Sequence, residues 1–206
     1  TAEKWQISRE EQDRLATESH HKLAAAYDSG FFDDLLTPYL GLTQDQNLRP
    51  NTSMEKLSKL KPVFGKGDGA TMTAGNSTPL TDGAAVVLLA SEEWAKHRKL
   101  PILGYLRDSQ TAAVDYVFGD EGLLMAPAYA VPKMLARNGL RLQDFDFYEM
   151  HEAFASQVLA SSREGKLTQI ANELIQSGGK RVRPALALLV FRAAGGTDPR
   201  DTIDVG

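Results

Sequence analysis

The chain contains no cysteine among its 206 residues. This absence excludes a disulfide framework, a zinc site with thiolate ligands and a cysteine nucleophile within the sequence. The sequence also has no apolar run long enough to cross a membrane and no signal-like N-terminal segment. We therefore expect no bound metal and no covalently bound cofactor, and we predict the cytoplasm as the location.

An excess of positive charge is missing as well. The formal net charge is −4 at pH 7 and the pI is about 5.6, which argues against a general nucleic-acid surface. Hydrophobic residues make up 42% and charged residues 24%, as in ordinary soluble globular proteins. The chain begins at Thr1, within residues that look like the inside of a domain, so we expect a piece of a longer protein.

The N-terminal region predicts a helix with clear start and stop signals. Residues 8–11 (Ser-Arg-Glu-Glu) form a capping box, and the helix should run to about Ser29, with Gly30 as its stop. His20 and His21 lie on this helix and point about 100° apart, so they are not a convergent ligand pair. We predict a surface position for both histidines.

Residues 31–75 are rich in proline and glycine and predict a loop-rich excursion, which in a compact protein is usually functional. Within this loop domain, residues 54–61 can form a short basic helix. Its lysines are expected to form a solvated face. The functional alternative is contact with a phosphorylated ligand or an acidic partner.

The following residues, 76–160, alternate between strand-like and helix-like patterns, which indicates a layered βαβ-type core. Residues 84–90 are continuously apolar, as in a strand buried on both faces. The predicted strands are 84–90, 102–106 and 146–150, and the predicted helices are 91–99, 127–137 and 152–160.

The pattern changes after Ala160. Residues 161–165 are a polar break with the character of a linker, and residues 168–177 and 184–194 predict two further helices. No strand pattern remains. We therefore divide the chain at residue 160 and expect an all-α segment over 161–206.

The tetrapeptide His151-Glu152-Ala153-Phe154 lies at a predicted strand-to-helix turn, where α/β folds commonly bind ligands. From the residues alone, His151 could equally be a satisfied buried histidine. Glu152 is predicted to be structural, as a first helical residue whose carboxylate complements the helix N-terminus.

Residues 73–85 are dense in small side chains and lead directly into the predicted buried strand. Glycines in this segment would let a ligand approach the backbone, while Ser77 and Thr78 offer hydroxyls. An ordinary turn is an alternative for any short part of it, but the whole run favours a functional loop.

Several of these stretches together resemble the central and later portion of a thiolase, over residues 1 to about 160. The matching stretches are residues 1–4 with 7–13, 48–50 with 59–64, 73–85 and 146–154. Residues 123–133, with His151 in place of the commoner asparagine, resemble the thiolase subunit of trifunctional fatty-acid oxidation complexes.

The resemblance implies a partial α-β-α-β-α layered α/β fold, dimerisation and 3-ketoacyl-CoA as the substrate class, with coenzyme A as a substrate. It implies that His151 forms part of an oxyanion hole and that Thr78 lies beside the pantetheine arm of coenzyme A. Residues 56–61 would belong to the loop that covers coenzyme A. The family's nucleophilic cysteine and Gly-His-Pro loop do not occur in this sequence, so we expect no turnover by this chain alone.

The tail resembles a different family. Residues 177–189 are similar to the first region of trans-polyprenyl diphosphate synthases, which implies that Lys180 and Arg183 bind the diphosphate of isopentenyl diphosphate. A helix start with two cations suits that role. The aspartate-rich motif Asp-Asp-x-x-Asp of that family does not occur here, so prenyl transfer by this chain alone is not expected.

Three functions remain open at this point. The first is a segment of an acyl-CoA acyltransferase, for thiolysis or the reverse condensation. The second is a non-catalytic module that binds coenzyme A or another subunit, and the third is a polyprenyl synthase fragment. We expect acyl-CoA as a ligand and a homo-oligomer or a complementing subunit as partner, because an unpaired strand at 84–90 would leave the chain alone poorly folded.

Overall fold

The computed structural model describes residues 1–67, 69–119 and 122–163, with side chains to residue 161. The elements in chain order are α1 (Arg9–Asp28), α2 (Met54–Ser58), β1 (Pro62–Phe64), β2 (Met72–Thr73), α3 (Glu92–His97), α4 (Ala126–Asn138), a 3-10 turn (Leu142–Asp144) and α5 (Ala155–Arg163). The strands β1 and β2 pair antiparallel and form the one sheet found in these ranges.

Helix α1 confirms the predicted start and stop signals. The backbone N–H of Glu11 donates to Ser8 Oγ, and the backbone N–H of Ser8 donates to Glu11 Oε2 at 2.8 Å, which completes the capping box. The helix ends at Asp28 with Ser29 as its C-cap, and Gly30 follows with a left-handed φ of 72°. Because each signal is local, the sequence was sufficient to place both ends.

The main apolar core lies between α1 and α5. Its buried members are Ala2, Ile7, Leu15, Ala155, Val158 and Leu159, with Trp5 and Met150 packed against them. A second cluster of Leu135, Leu142 and Phe145 joins the end of α4 to the 3-10 turn. The packing of α5 on α1 therefore brings the region after His151 against the N-terminal helix.

The buried face of α1 includes His20, so the predicted surface position of this histidine is wrong. His20 lies one turn from the buried residues Ala16 and Leu23, and its Nδ1 accepts a hydrogen bond from the Arg49 backbone N–H at 3.3 Å. His21 is exposed as predicted, and its Nε2 lies 2.9 Å from the Thr52 carbonyl oxygen. Both histidines thus attach the 31–53 loop to α1.

The three predicted strands are not formed in the described part of the chain. Residues 84–90, 102–106 and 146–150 pair with no other strand there, and Val86 and Leu88 are 93% and 71% exposed. The apolar pattern is real, but a strand exists only when a neighbour accepts its backbone hydrogen bonds, and none of the described segments lies beside it. The prediction of a buried strand at 84–90 is therefore wrong for this structure.

The predicted helices at 91–99, 127–137 and 152–160 are confirmed with shifts at their ends. Helix α4 begins at Ala126 and stops at Asn138, before Gly139 with a left-handed φ of 64°, as predicted. Helix α3 ends at His97, two residues early. Helix α5 begins at Ala155 rather than at 152, and it continues to Arg163 through the first residues of the predicted polar break.

Within the described residues, no helix is long and apolar enough to cross a membrane, and no group of three or more His, Asp or Glu side chains is placed to hold a metal ion. The two predicted helices at 168–177 and 184–194 lie outside the described residues. They stay predictions.

A charged cluster attaches residues 108–110 to the end of α4. Arg137 donates from Nε and Nη2 to Asp108 Oδ2 at 3.0 and 2.7 Å, and Asn138 Nδ2 donates to the same oxygen. The pKa of Asp108 is lowered from 3.8 to about 2. The hydrogen bond from Arg137 is the main cause, and the hydrogen bond from Asn138 is the second. This carboxylate is therefore charged over the whole physiological range.

We predict that this contact is lost in acid. Because the folded pKa lies below the ordinary value, the stabilisation is present above about pH 4 and disappears as the pH falls toward about 2. A carboxyl titration by NMR should give Asp108 a midpoint of about 2, and Arg137→Gln should raise it. Arg14→Gln, which removes a different exposed ion pair, is the control and should leave Asp108 unchanged. An Asp108 midpoint near 3.8 in the unmodified chain would contradict the contact.

Candidate functional site

A short antiparallel pairing joins residues 76–78 to residues 153–155. The Thr78 N–H donates to the Ala153 carbonyl at 2.9 Å, and the Ala155 N–H donates to the Asn76 carbonyl at 3.0 Å. Ser77 and Phe154 lie opposite each other between these two bonds. We call this pairing the 77/154 bridge. It brings the segment that carries Thr78 against the segment that follows His151.

The turn before the bridge is held by its own side chains. The Thr73 N–H donates to Asn76 Oδ1 at 2.8 Å, and the Gly75 N–H donates to Thr73 Oγ1 at 3.2 Å. Gly75 passes so close to α2 and the residues just after it that a Cβ there would lie 2.6 Å from methyl groups of Leu57 and Leu60. Glycine is thus the residue that fits at position 75 without movement of these leucines.

Below this turn lies a buried polar network that the sequence did not reveal. Asn76 Nδ2 donates to Asp13 Oδ1 at 3.0 Å, and Arg9 Nε donates to Asp13 Oδ2 at 2.7 Å. Beside it, Gln12 Nε2 donates to Thr71 Oγ1 at 3.0 Å. The helical pattern of the sequence does contain a signal for this network. Polar Gln12 and Asp13 occupy the same helix face as buried Ala16 and Leu23.

His151 is partly exposed, directly after Met150 of the apolar core. Among the described residues its ring makes no hydrogen bond or ion pair. The alternative of a satisfied, buried histidine is therefore wrong for this structure. An imidazole in this state can donate to or accept from a ligand.

Glu152 is structural, but by a contact other than the predicted one. Because α5 begins at Ala155, Glu152 is not the first helical residue. Its Oε2 instead accepts a hydrogen bond from Ser19 Oγ of α1 at 2.6 Å. This bond fixes the backbone next to His151 to a buried position of the N-terminal helix.

Phe154 connects the bridge to the loop domain. Its ring meets that of Phe64, at the end of β1, edge to face with centroids 5.5 Å apart. This geometry is a favourable one for aromatic pairs. The small sheet of β1 and β2 therefore lies next to the same site.

The predicted basic helix is shorter than expected, since α2 ends at Ser58. Lys59 pairs with Glu55 at 2.6 Å, and Lys56 Nζ donates to the Asn51 carbonyl at 2.5 Å. Both lysines are exposed, as expected of a solvated face. Their contacts within the loop identify no individual phosphate-binding residue.

Two family models match the chain. The thiolase N-terminal domain matches residues 1–93, and the thiolase C-terminal domain matches residues 100–181. The 3-ketoacyl-CoA thiolase of Pectobacterium carotovorum subsp. carotovorum (strain PC1) is 45% identical over 166 residues, or 78% of this chain and 37% of that protein. The 3-ketoacyl-CoA thiolase of Yersinia enterocolitica is 44% identical over the same length.

Solved thiolases share the fold. Human mitochondrial 3-ketoacyl-CoA thiolase in complex with CoA aligns with a TM-score of 0.71 and 33% identity, over 86% of this chain and 51% of that one. The dimeric peroxisomal thiolase of Saccharomyces cerevisiae aligns with a TM-score of 0.70 and 35% identity, over 85% and 50% of the two chains. The chain belongs to the thiolase family, and its backbone follows a thiolase-like α/β fold.

The chain spans 37% of the length of its curated bacterial relatives and about half of the solved thiolases. Lys180 and Arg183 lie outside the described residues, and the thiolase C-terminal match extends to residue 181. None of these comparisons supports the polyprenyl synthase resemblance of the tail. The diphosphate-binding roles of Lys180 and Arg183 stay predictions.

The Ser19–Glu152 contact generates a stability prediction. Ser19→Ala removes a buried hydroxyl that donates to a carboxylate, so we expect a loss of about 1–2 kcal/mol in the free energy of unfolding. Ser58→Ala is the matched control, because this exposed hydroxyl donates only to the Glu55 carbonyl of its own short helix, and it should change stability by less than about 0.5 kcal/mol. Urea denaturation followed by circular dichroism measures both. Equal effects of the two variants would contradict the contact.

Proposed function

We propose that this chain supplies the coenzyme A-binding and oxyanion-binding part of an acyl-CoA acyltransferase. The reaction is thiolysis of 3-ketoacyl-CoA or the reverse condensation. The observation that carries the proposal is the 77/154 bridge, because it brings the segments of Thr78 and His151 together from distant parts of the sequence. The family membership and a relative crystallised with CoA support the same ligand.

Each of the two residues has a distinct role in this proposal. Thr78 is half-buried at the end of the bridge, and its hydroxyl contacts the pantetheine arm. The ring N–H of His151 donates to the thioester oxygen, where negative charge develops during acyl transfer. Glu152 does not reach the ligand but holds this backbone to α1 through Ser19.

The proposal separates binding from turnover. Acyl transfer through a covalent intermediate needs an activated nucleophile, and no cysteine occurs in the 206 residues. Oriented hydrogen-bond donors alone give only residual catalysis. We therefore assign coenzyme A binding to this chain, and turnover to an assembly in which another polypeptide segment supplies the thiolate.

The proposed partner is a second thiolase-type subunit, either another copy or a complementing chain. One relative is described as a dimeric peroxisomal thiolase, and residues 84–90 of this chain expose an apolar run that pairs with no strand in the described part of the structure. Backbone groups and apolar side chains in such a run favour association with another strand. A cytoplasmic location also stays part of the proposal.

Titration calorimetry with coenzyme A tests the binding role. Thr78→Ala should weaken binding about tenfold, as expected for one lost hydrogen bond to the ligand. Thr81→Ala is the matched control, since Thr81 is exposed in the same segment but outside the bridge. His151→Ala is measured with acetoacetyl-CoA, because free coenzyme A lacks the thioester oxygen that His151 is proposed to bind. This variant should bind acetoacetyl-CoA more weakly, whereas His97→Ala, a change of an exposed histidine, should bind it as the unmodified chain does.

The same preparation is assayed for thiolysis of acetoacetyl-CoA. Binding without turnover is the expected result, and it agrees with the non-catalytic module as well as with a part of a larger enzyme. Thiolysis by the isolated chain would contradict the claim that its nucleophile is missing. Equal affinities for the Thr78→Ala and Thr81→Ala variants would contradict the assignment of Thr78.

A further inference from the structure

Asn76 is the residue at which three segments meet. Its backbone carbonyl accepts the Ala155 N–H of the bridge, and its Oδ1 accepts the Thr73 N–H at 2.8 Å. Its Nδ2 donates to Asp13 Oδ1 at 3.0 Å and to the Thr71 carbonyl at 3.1 Å. The side chain is only 3% exposed, so these bonds are made away from water. One residue thus links α1, the 71–76 turn and α5.

The contacts determine the orientation of the Asn76 carboxamide. The Thr73 N–H can only donate, so the atom facing it must be the oxygen. The Asp13 carboxylate and the Thr71 carbonyl can only accept, so the atom facing both must be the nitrogen. Neither a rotated amide nor an aspartate would satisfy the same three partners.

Asp13 holds the other end of this link. Its carboxyl group is 1% exposed and accepts from Asn76 and, at 2.7 Å, from Arg9 Nε. Arg9 also donates to the carbonyl of Leu57 at 2.5 Å and of Leu60 at 3.1 Å. A buried carboxylate requires such partners, because an unpaired charge away from water is very costly. The network therefore has one arrangement that satisfies every member.

We infer that Asp13 and Asn76 are positioning residues that set the register of the 77/154 bridge and so the placement of Thr78 relative to His151. Neither side chain is assigned contact with the ligand. They act through the backbone, because the same Asn76 that is held by Asp13 offers its carbonyl to Ala155. This inference rests on the proposed function for its effect on coenzyme A, but its effect on the bridge is independent of any ligand.

Asn76→Asp is the sharpest test. It replaces the donor that faces Asp13 by an acceptor and places two carboxylates side by side in a buried site. We expect amide hydrogen exchange at Thr78 and Ala155 to become about tenfold faster or more, as for loss of a buried charge-assisted hydrogen bond. Amides of α4 should keep their rates, because α4 shares no member of the network. Asn51→Asp, at an exposed position, is the control.

The double variant Asp13→Asn with Asn76→Asp provides a rescue. It restores one donor facing one acceptor between positions 13 and 76, with the negative charge moved from position 13 to position 76, so the bridge amides should recover part of their protection. Coenzyme A affinity should follow the same order: unmodified chain, double variant, Asn76→Asp. A side chain that merely filled space would show no such rescue.

Failure of the positioning role and failure of the proposed function give different results. Unprotected bridge amides in the unmodified chain, equal exchange in Asn76→Asp and the control, or uniformly faster exchange that includes α4 would each overturn the inference. So would coenzyme A binding by the unmodified chain that Asn76→Asp leaves unchanged. If the unmodified chain does not bind coenzyme A, the proposed function fails, while exchange at Thr78 and Ala155 still decides the positioning role.

Discussion

The structure depends on the pairing of residues 76–78 with residues 153–155. Two backbone hydrogen bonds hold this pairing. Alone they would add little to the free energy of unfolding, because in so short a pair they replace hydrogen bonds that the same groups make to water. The pairing is stabilised because both of its segments are fixed to α1. On one side, Asn76 is anchored to the buried Asp13 of α1, and on the other, α5 packs its apolar residues onto the same helix. Helix α1 is thus the common support for both halves of the candidate site.

This arrangement separates a well-packed part of the chain from a part without a packing surface. Around α1, the buried side chains of Ser19 and Asp13 and the Nε2 of Gln12 all have hydrogen-bond partners. Residues 84–90 are different, because their valine and leucine side chains face solvent and no described strand pairs with them. Apolar surface of this kind marks an interaction site or an aggregation hazard. The second thiolase-type subunit that we propose as partner would cover this surface.

Much of the fold could be predicted where the signals are local, and little where they are not. The capping box at Ser8, the stop at Gly30 and the left-handed Gly139 each depend on a few neighbouring residues, and the ends of α1 and α4 agree with the prediction for that reason. The strands were not, because strand formation depends on a neighbour that the pattern at 84–90 cannot supply. At the site, Thr78 and His151 came from family resemblance. The Asp13–Asn76 contact did not, since it joins residues 63 apart and the position of Asp13 on the buried face of α1 does not indicate its partner.

The central claim is that the 77/154 bridge creates one coenzyme A site from two distant segments. A crystal structure of the chain with coenzyme A tests it most directly. The account predicts that the pantetheine arm lies along the bridge, with Thr78 Oγ1 within about 3 Å of one of its polar atoms and the thiol end facing the ring of His151. Coenzyme A bound elsewhere, or bound with residues 76–78 separated from residues 153–155, would contradict the account.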